Sequence, residues 1–250
     1  MSERISIVMP VFNAAAWLKE TVASVQEQTY ENWELIAVDD CSSDDSFRLL
    51  QEMAREDGRI RPVRQEKNSG AAAARNAGIR LAQGRYLAFL DSDDLWKKTK
   101  LEKELAFLQE RQAAFAFTAY EFGDENGKGN GKVVRVPQTL SYREALSRTV
   151  IFTTTVMFDL ERIDRSLIFM PDVKSEDTAT WWKILRAGHT AYGLNENLAV
   201  YRRPKNSLSS NKLEAVRRIW NLYRKQEGLC AAASAYYLFF WALRATIRRL

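Results

Sequence analysis

The feature that most constrains this chain is an alternation repeated through its N-terminal part. Short apolar runs at residues 5–9, 34–38, 59–64 and 86–90 are separated by segments with the spacing of amphipathic helices. Residues 14–28 carry Trp17, Leu18, Val22 and Val25 at helical intervals. Residues 45–55 follow a Ser/Asp-rich turn, and residues 71–83 are Ala-rich and closed by Gly84. This β-α-β-α-β-α-β order predicts an α/β protein with a mostly parallel sheet and helices on both faces. The run at 86–90 is nearly continuous in its apolarity, as expected of a strand buried on both faces.

That fourth run stops abruptly in Asp91, Asp93 and Asp94, and the second stops in Asp39 and Asp40. Like charges crowded at a strand end are costly without something positive among them. The carboxyl ends of the strands are where an open α/β sheet binds its ligands. Hard oxygen donors there suit Mg²⁺ or Mn²⁺, ions that commonly hold a substrate phosphate as well. Asp and Ser are also ordinary helix caps, so Asp94 has two readings, support for a metal site or the cap of a following helix. After the first strand the chain reads Pro-Val-Phe-Asn rather than Gly-x-Gly-x-x-Gly, and Gly-x-x-x-x-Gly-Lys-Ser/Thr is absent. Dinucleotide and P-loop sites of the usual kind are thereby excluded, which leaves a nucleotide held through a metal ion.

Four stretches, in order, then carry a resemblance. Ile7-Val-Met-Pro-Val-Phe-Asn13, Val38-Asp-Asp-Cys-Ser-Ser-Asp44, Asn68-Ser-Gly70 with Ala74-Arg-Asn-Ala-Gly78, and Leu90-Asp-Ser-Asp-Asp94 resemble the successive motifs of family 2 glycosyltransferases with the GT-A fold. The resemblance is tight to about Leu108 and looser to about Lys212. It implies a Rossmann-like nucleotide-binding sheet over residues 1–110 and an acceptor-side subregion over 111–212; residues 213–250, about which the resemblance says little, are read from their own spacing as a helical tail. It implies an inverting, metal-dependent enzyme of bacterial cell-surface polysaccharide synthesis. The donor would be a nucleotide-sugar, UDP-linked, and the acceptor a glycan or lipid-linked sugar.

Carried over residue by residue, the resemblance places Pro10, Phe12, Asn13, Asp40, Arg75, Asp91 and Ser92 on the nucleotide. Phe12 would stack on uracil or else fill the rim of the core. Asp40 would read the pyrimidine edge and ribose, while Asp39 holds the loop. Arg75 would meet the diphosphate or Asp40, or form a plain surface salt bridge. Asp93 would ligate a divalent ion, Mn²⁺ or Mg²⁺, with Asp91 on the ribose or reaching the metal through water. Glu176-Asp177, ahead of a Trp-containing helix, resembles the family's Glu-Asp pair, with Asp177 as catalytic base. Both acids also suit the positive end of a helix.

The second half is read as a strand at 114–118, a Gly/Asn-rich loop at 123–131, a return strand at 133–136 and a Ser141-capped helix to Arg148. A β-branched strand at 153–158, a helix at 178–187 and a last strand at 199–201 follow. Trp181, Trp182 and Leu185 are expected to pack on the sheet. In the basic loop 202–212, Arg202 and Lys205 would close over the diphosphate as a lid, or the loop is simply solvated.

The net charge of +5 hides an asymmetry: from Tyr201 onward there are 11 Lys or Arg against 2 Glu, so the body carries −4. Residues 228–243 are uncharged and aromatic-rich, too short to span a bilayer but fitted to lie in its interface between flanking arginines. Packing on the body, or on a second subunit in a homo-oligomer, is the other reading. The aromatics cluster rather than interleave with the cations, which argues against nucleic acid. Cys41 and Cys230 show no metal-ligand spacing, and no apolar leader opens the chain. A cytoplasmic enzyme, peripheral on the inner face of the membrane, is the expectation. Its rivals are a sugar-phosphate nucleotidyltransferase, which calls for a Gly-rich loop where Pro10 to Asn13 stand, and a catalytically silent nucleotide- or glycan-binding module.

Overall fold

The computed structural model describes residues 3–148, 150–203 and 212–247. The expected alternation is present as β1 (Ile5–Val11), α1 (Leu18–Gln26), β2 (Trp33–Asp39), α2 (Ser46–Glu56), β3 (Ile60–Arg64), α3 (Ala71–Leu81) and β4 (Tyr86–Phe89). Strands β3, β2, β1 and β4 lie side by side, all parallel. All seven residues of β2 are buried, which explains why its sequence runs apolar instead of alternating. Close approach decides one position in α3: a Cβ on Gly78 would collide with the Val8 side chain of β1. Gly70, at φ +86°, ends the turn that launches the same helix.

The rest of the chain extends this sheet. After β5 (Leu95–Trp96) and α4 (Lys100–Arg111) come β6 (Phe115–Gly123), β7 (Gly129–Val134), β8 (Thr139–Leu140), α5 (Tyr142–Leu146) and β9 (Val156–Asp159). Then follow α6 (Arg165–Ile168), α7 (Glu176–Arg186) and β10 (Ala191–Arg202). The order is β3-β2-β1-β4-β9-β6-β10-β5, with β7 on β6 and β8 on β10. Strand β9 runs antiparallel to both β4 and β6, while β10 lies parallel to β6, so the second half of the sheet is mixed.

Several sequence expectations are corrected here. The β-branched segment expected as a strand at 153–158 begins as a 3₁₀ turn, Thr153–Thr155, because its hydroxyls bond locally and into the site. The last strand runs from Ala191, not from 199; a register shift around Asn197 interrupts its apolar pattern. Asp94 caps no helix: α4 starts at Lys100, and Asp94 is fully buried beneath the site. The Ser141 helix is present, with a reciprocal capping box to Glu144, but ends at Leu146.

The tail consists of α8 (Lys212–Asn221), a π turn at Leu222–Gln226 and α9 (Ala231–Ile247). Ile219, Leu222 and Tyr223 enter the main core. Trp181 packs on Phe89, Phe115 and Phe158 of the sheet as expected. Trp182 instead stacks flat on Tyr223, at 5.1 Å between centroids and 6° between planes. The Tyr223 hydroxyl donates to the Leu146 carbonyl.

Under β5 lies an ion pair with no access to water, Lys100 Nζ to Glu104 Oε2 at 2.7 Å, with the ammonium 4.1 Å from the Trp96 ring centre. Burial pushes the Glu104 carboxyl up to about 7 and the Lys100 ammonium down. Lys100→Met is therefore expected to cost about 3–5 kcal/mol by stranding a buried carboxylate. The double change Lys100→Met with Glu104→Met is expected to recover most of that loss in urea denaturation.

Candidate active site

The carboxyl ends of β1, β2 and β4 form one rim of a cleft, and the start of α7 forms the other. Loops after β1 and β2 are stitched together. Asn13, at φ 49°, accepts from the Ser43 amide at 2.9 Å, and its own amide donates to Ser42 Oγ at 3.0 Å. Pro10 is the penultimate residue of β1, and Phe12, just beyond the strand, leaves 51% of its surface exposed on the rim. Such a bare aromatic face beside a ligand cleft can stack on a base.

The two acids at the end of β2, Asp39 and Asp40, both accept from loop backbone. Asp40 holds the turn before α3, accepting from the Ser69 amide at 2.8 Å, the Gly70 amide at 2.7 Å and Gln65 Nε2 at 3.1 Å. Asp39 accepts from the Ser42 amide and meets Arg64 Nε at 3.3 Å, while its buried Oδ1 has no hydrogen-bond partner among the described residues.

The centre of the site is Arg75, on α3. Its guanidinium donates to Asp91 Oδ1 at 2.6 Å and to Glu176 Oε1 at 2.8 Å. The arginine is neither a surface salt bridge nor a partner of Asp40: its side chain is 7% exposed. Burial opposes its charge, yet Asp91 and Glu176 hold the guanidinium above its ordinary pKa. The neighbouring Asn76 exchanges two 2.8 Å hydrogen bonds with the Met170 backbone, fixing the segment that leads into α7. One turn of α3 thus ties the end of β4 to the start of α7.

Asp177 is half-buried at the mouth of α7. It accepts from the Thr178 amide, and the Thr153 hydroxyl lies 3.4 Å from its Oδ2. Burial, and then the charge of Glu176, raise its pKa above the ordinary aspartate value. Ser175, just before it, sits in left-handed backbone at φ 62°, a conformation that costs energy for a non-glycine residue. Among the described residues, four non-glycines have positive φ, and three of them, Asn13, Cys41 and Ser175, border this cleft.

Thr153 and Thr154 are the residues that sequence reasoning missed. Thr154 Oγ1 donates to Asp94 Oδ2 at 2.6 Å and accepts from the Asp91 amide at 3.1 Å. The only signal was three consecutive threonines, which β-propensity turns into a strand. Arg202 corrects the lid expectation. It is a buried end residue of β10, donating to Glu20 Oε2 at 2.8 Å and to the Glu125 carbonyl, and its amide binds Asp94. Lys205, the other lid candidate, lies outside the described residues.

A divalent ion is tested against the donor set itself. Asp93 forms no ion pair among the described residues, and burial and then Asp91 push its carboxyl up to about 6, the state of an acid that lacks a counter-charge. Ser92 lies between it and Asp91, its carbonyl accepting from Thr21 Oγ1 at 3.1 Å. Among the described residues no group of three or more His, Cys, Asp or Glu forms a complete cage. One or two carboxylates completed by substrate phosphates is the usual arrangement for Mg²⁺ or Mn²⁺, and the site fits it.

This fold and this cleft are those of a glycosyltransferase. Residues 6–160 match Glycosyl transferase family 2, and the chain belongs to that family. It is 44% identical over 247 residues to TuaG of Bacillus subtilis, provisionally named as a teichuronic acid biosynthesis glycosyltransferase. That match covers 98% of this chain and 97% of the relative. It is 36% identical over 223 residues to WfgD of Escherichia coli, covering 87% of this chain and 84% of that protein. WfgD is named as a UDP-Glc:alpha-D-GlcNAc-diphosphoundecaprenol beta-1,3-glucosyltransferase. Among solved structures, S. aureus TarS 1–349 in complex with UDP-GlcNAc superimposes with TM-score 0.70 at 21% identity, over 96% of this chain and 71% of that one. The mannosyltransferase PcManGT from Pyrobaculum calidifontis, in complex with GDP-Man and Mn²⁺, gives TM-score 0.70 at 18% identity, over 96% and 73%. At those identities the likeness is one of fold.

Arg75→Met is expected to destabilise the protein by roughly 2–5 kcal/mol, since two half-buried carboxylates lose their partner. Arg75→Lys, a point charge unable to bridge both acids, is expected to fold while losing about 10²-fold in turnover through misplacement of α7. Thermal unfolding and sugar-nucleotide hydrolysis measure the two effects separately.

Proposed function

We propose that this glycosyltransferase moves a sugar from a UDP-sugar, with inversion, onto a lipid-diphosphate-linked acceptor at the cytoplasmic face of the membrane. The observation that carries the reading is the convergence of Asp91, Asp93, Glu176 and Asp177 on Arg75 at the carboxyl ends of parallel strands. The name of WfgD, with its UDP-sugar donor and diphosphoundecaprenol-linked acceptor, supports the substrate classes.

In this reading the exposed Phe12 ring stacks on the uracil, and the braced loops around Asn13, Asp39 and Asp40 shape the pocket for base and ribose. Asp91, oriented by Arg75 and by its amide bond to Thr154, faces the ribose. Asp93, with Asp91 behind it, would hold the divalent ion. When bound, that ion supplies Lewis-acid stabilisation of the charge growing on the leaving diphosphate. Asp177 takes the proton of the acceptor hydroxyl as its oxygen bonds to the anomeric carbon. The bond from that carbon to the diphosphate breaks on the opposite face, so the centre inverts. Glu176, spent on Arg75, positions the base and tunes it.

The direct test is a panel of UDP-, GDP- and dTDP-sugars assayed for Mn²⁺-dependent hydrolysis, water standing in for the acceptor. Hydrolysis of a UDP-sugar supports the reading; no hydrolysis of any donor with metal present overturns it. Asp177→Asn is expected to lower turnover by about 10²–10⁴ with UDP binding retained.

The acid side of the pH profile follows from Asp177, which works only when deprotonated. Its raised pKa makes kcat/KM fall at a higher pH than an exposed aspartate would allow as the solution is acidified. Glu176→Gln removes the like charge, so the falling limb is expected to move to lower pH. A limb that moves upward contradicts the assignment.

Membrane contact belongs to the same proposal. Among the described residues no helix is long and apolar enough to cross a bilayer. Helix α9 divides: Tyr237, Leu238 and Trp241 pack against the core, while Tyr236, Phe239 and Leu243 are 60%, 64% and 46% exposed on its outer face. An apolar face of that kind with arginines alongside suits the bilayer interface. Tyr236→Ser with Phe239→Ser is expected to abolish flotation with vesicles of phosphatidylethanolamine and phosphatidylglycerol. Unchanged flotation would remove the membrane from the account.

A further inference from the structure

A groove of about 460 Å³ opens between β7, the residues after α5 and the last turns of α9. None of Asp91, Asp93, Glu176 and Asp177 lines it. Its charged lining residues are all cations, Lys132, Arg135, Arg148 and Arg244, set over an apolar floor that includes Val136 and Val150. Guanidinium groups match phosphate oxygens, and the valines match hydrocarbon, so the composition selects an amphiphile with a phosphorylated head. A soluble sugar would find few partners there.

Two features adjoin the groove. Arg244 donates to the Ser147 carbonyl at 3.0 Å, beside Arg148, and lies over the Phe240 ring of α9. That helix carries the exposed apolar face described above. Arg148 and Val150 also line a much smaller second cavity whose wall contains Thr178 and Trp181 of α7. Thr153, three residues beyond Val150, is the residue whose hydroxyl approaches Asp177. Three residues of chain span at most about 10 Å. The groove therefore borders helix α9, and its Val150 lies a short stretch of chain from the residue that meets Asp177.

We propose that this groove holds the diphosphate and the first isoprenoid carbons of the acceptor lipid, with Arg135 and Arg148 on the phosphate oxygens. The proposal rests on the lipid-diphosphate reading of the acceptor. It adds the place where that lipid lies and the direction from which it enters. The sugar carried by the diphosphate then projects past Thr153 toward Asp177.

The test uses the full chain with UDP and Mn²⁺ saturating, so that the donor's own phosphate site is filled. Farnesyl diphosphate is titrated by calorimetry against inorganic diphosphate and against phosphatidylglycerol vesicles. Farnesyl diphosphate is expected to bind about ten-fold tighter than inorganic diphosphate, and Arg148→Glu to weaken it by about ten-fold or more with UDP affinity unchanged. Should Arg148→Glu fail to fold, Arg135→Glu, at an exposed position, must weaken binding by itself. Equal binding by the folded variants overturns the proposal. So does loss of vesicle binding with farnesyl diphosphate binding intact, which would assign the groove to bulk anionic phospholipid. If the variants lose farnesyl diphosphate while no UDP-sugar is ever hydrolysed, the groove stands and the donor reading falls. If hydrolysis proceeds and the variants bind normally, the groove alone falls.

Discussion

One guanidinium carries the connection on which the site depends. Arg75 bonds Asp91 at the end of β4 and Glu176 at the start of α7, joining the first half of the sheet to α7 across one ion triad. Partly buried charges are expensive, and their attraction offsets that cost only when the geometry is tight. Here the bonds are short, and Asn76 pins the adjoining segment through the Met170 backbone. The triad also leaves the cleft short of positive charge. Asp93, Asp94 and Asp177 all have pKa values raised by burial in the same neighbourhood. In the proposed reading, a divalent cation held with the substrate diphosphate would supply that missing charge.

Around that triad the chain spends backbone strain where geometry matters most. Asn13, Cys41 and Ser175 adopt left-handed conformations beside the cleft, each following a strand end or preceding α7. Beneath it, Asp94 gathers Thr154 and the Arg202 amide, tying β4, the 3₁₀ turn and β10 together. Arg202 is thus part of the floor on which the acids stand. The same arrangement explains how Thr153 reaches Asp177: its turn is fixed from below by its neighbour. Electrostatics at the mouth and hydrogen bonds at the base are two levels of one construction.

Much of this was legible before any coordinates. Buried parallel strands announce themselves as unbroken apolar runs, and the acids that end β2 and β4 mark the edge of the cleft. The features that escaped share a physical cause: the sequence signal was local, and the structure answered to a distant partner. Asp94 looked like a helix cap because Asp commonly is one, but its bonds go to Thr154 and Arg202, far along the chain. The threonines at 153–155 looked like a strand because they are β-branched, yet their hydroxyls are taken up by Asp94, Asp177 and a local carbonyl. Arg202 looked like part of a solvated loop from its basic neighbours, while Glu20, distant in sequence, fixes it. Trp182 was expected on the sheet and stacks on the tail instead, because nothing in its own helix names Tyr223.

The account stands or falls on whether the acids at the end of β4 grip a cation together with a nucleotide diphosphate. Electron paramagnetic resonance of Mn²⁺ titrated with the protein, with and without UDP, reads this directly. The prediction is weak binding of Mn²⁺ alone, strong binding once UDP is present, and loss of that enhancement in Asp93→Asn with the fold intact. Mn²⁺ binding that ignores UDP, or that survives Asp93→Asn unchanged, would contradict it.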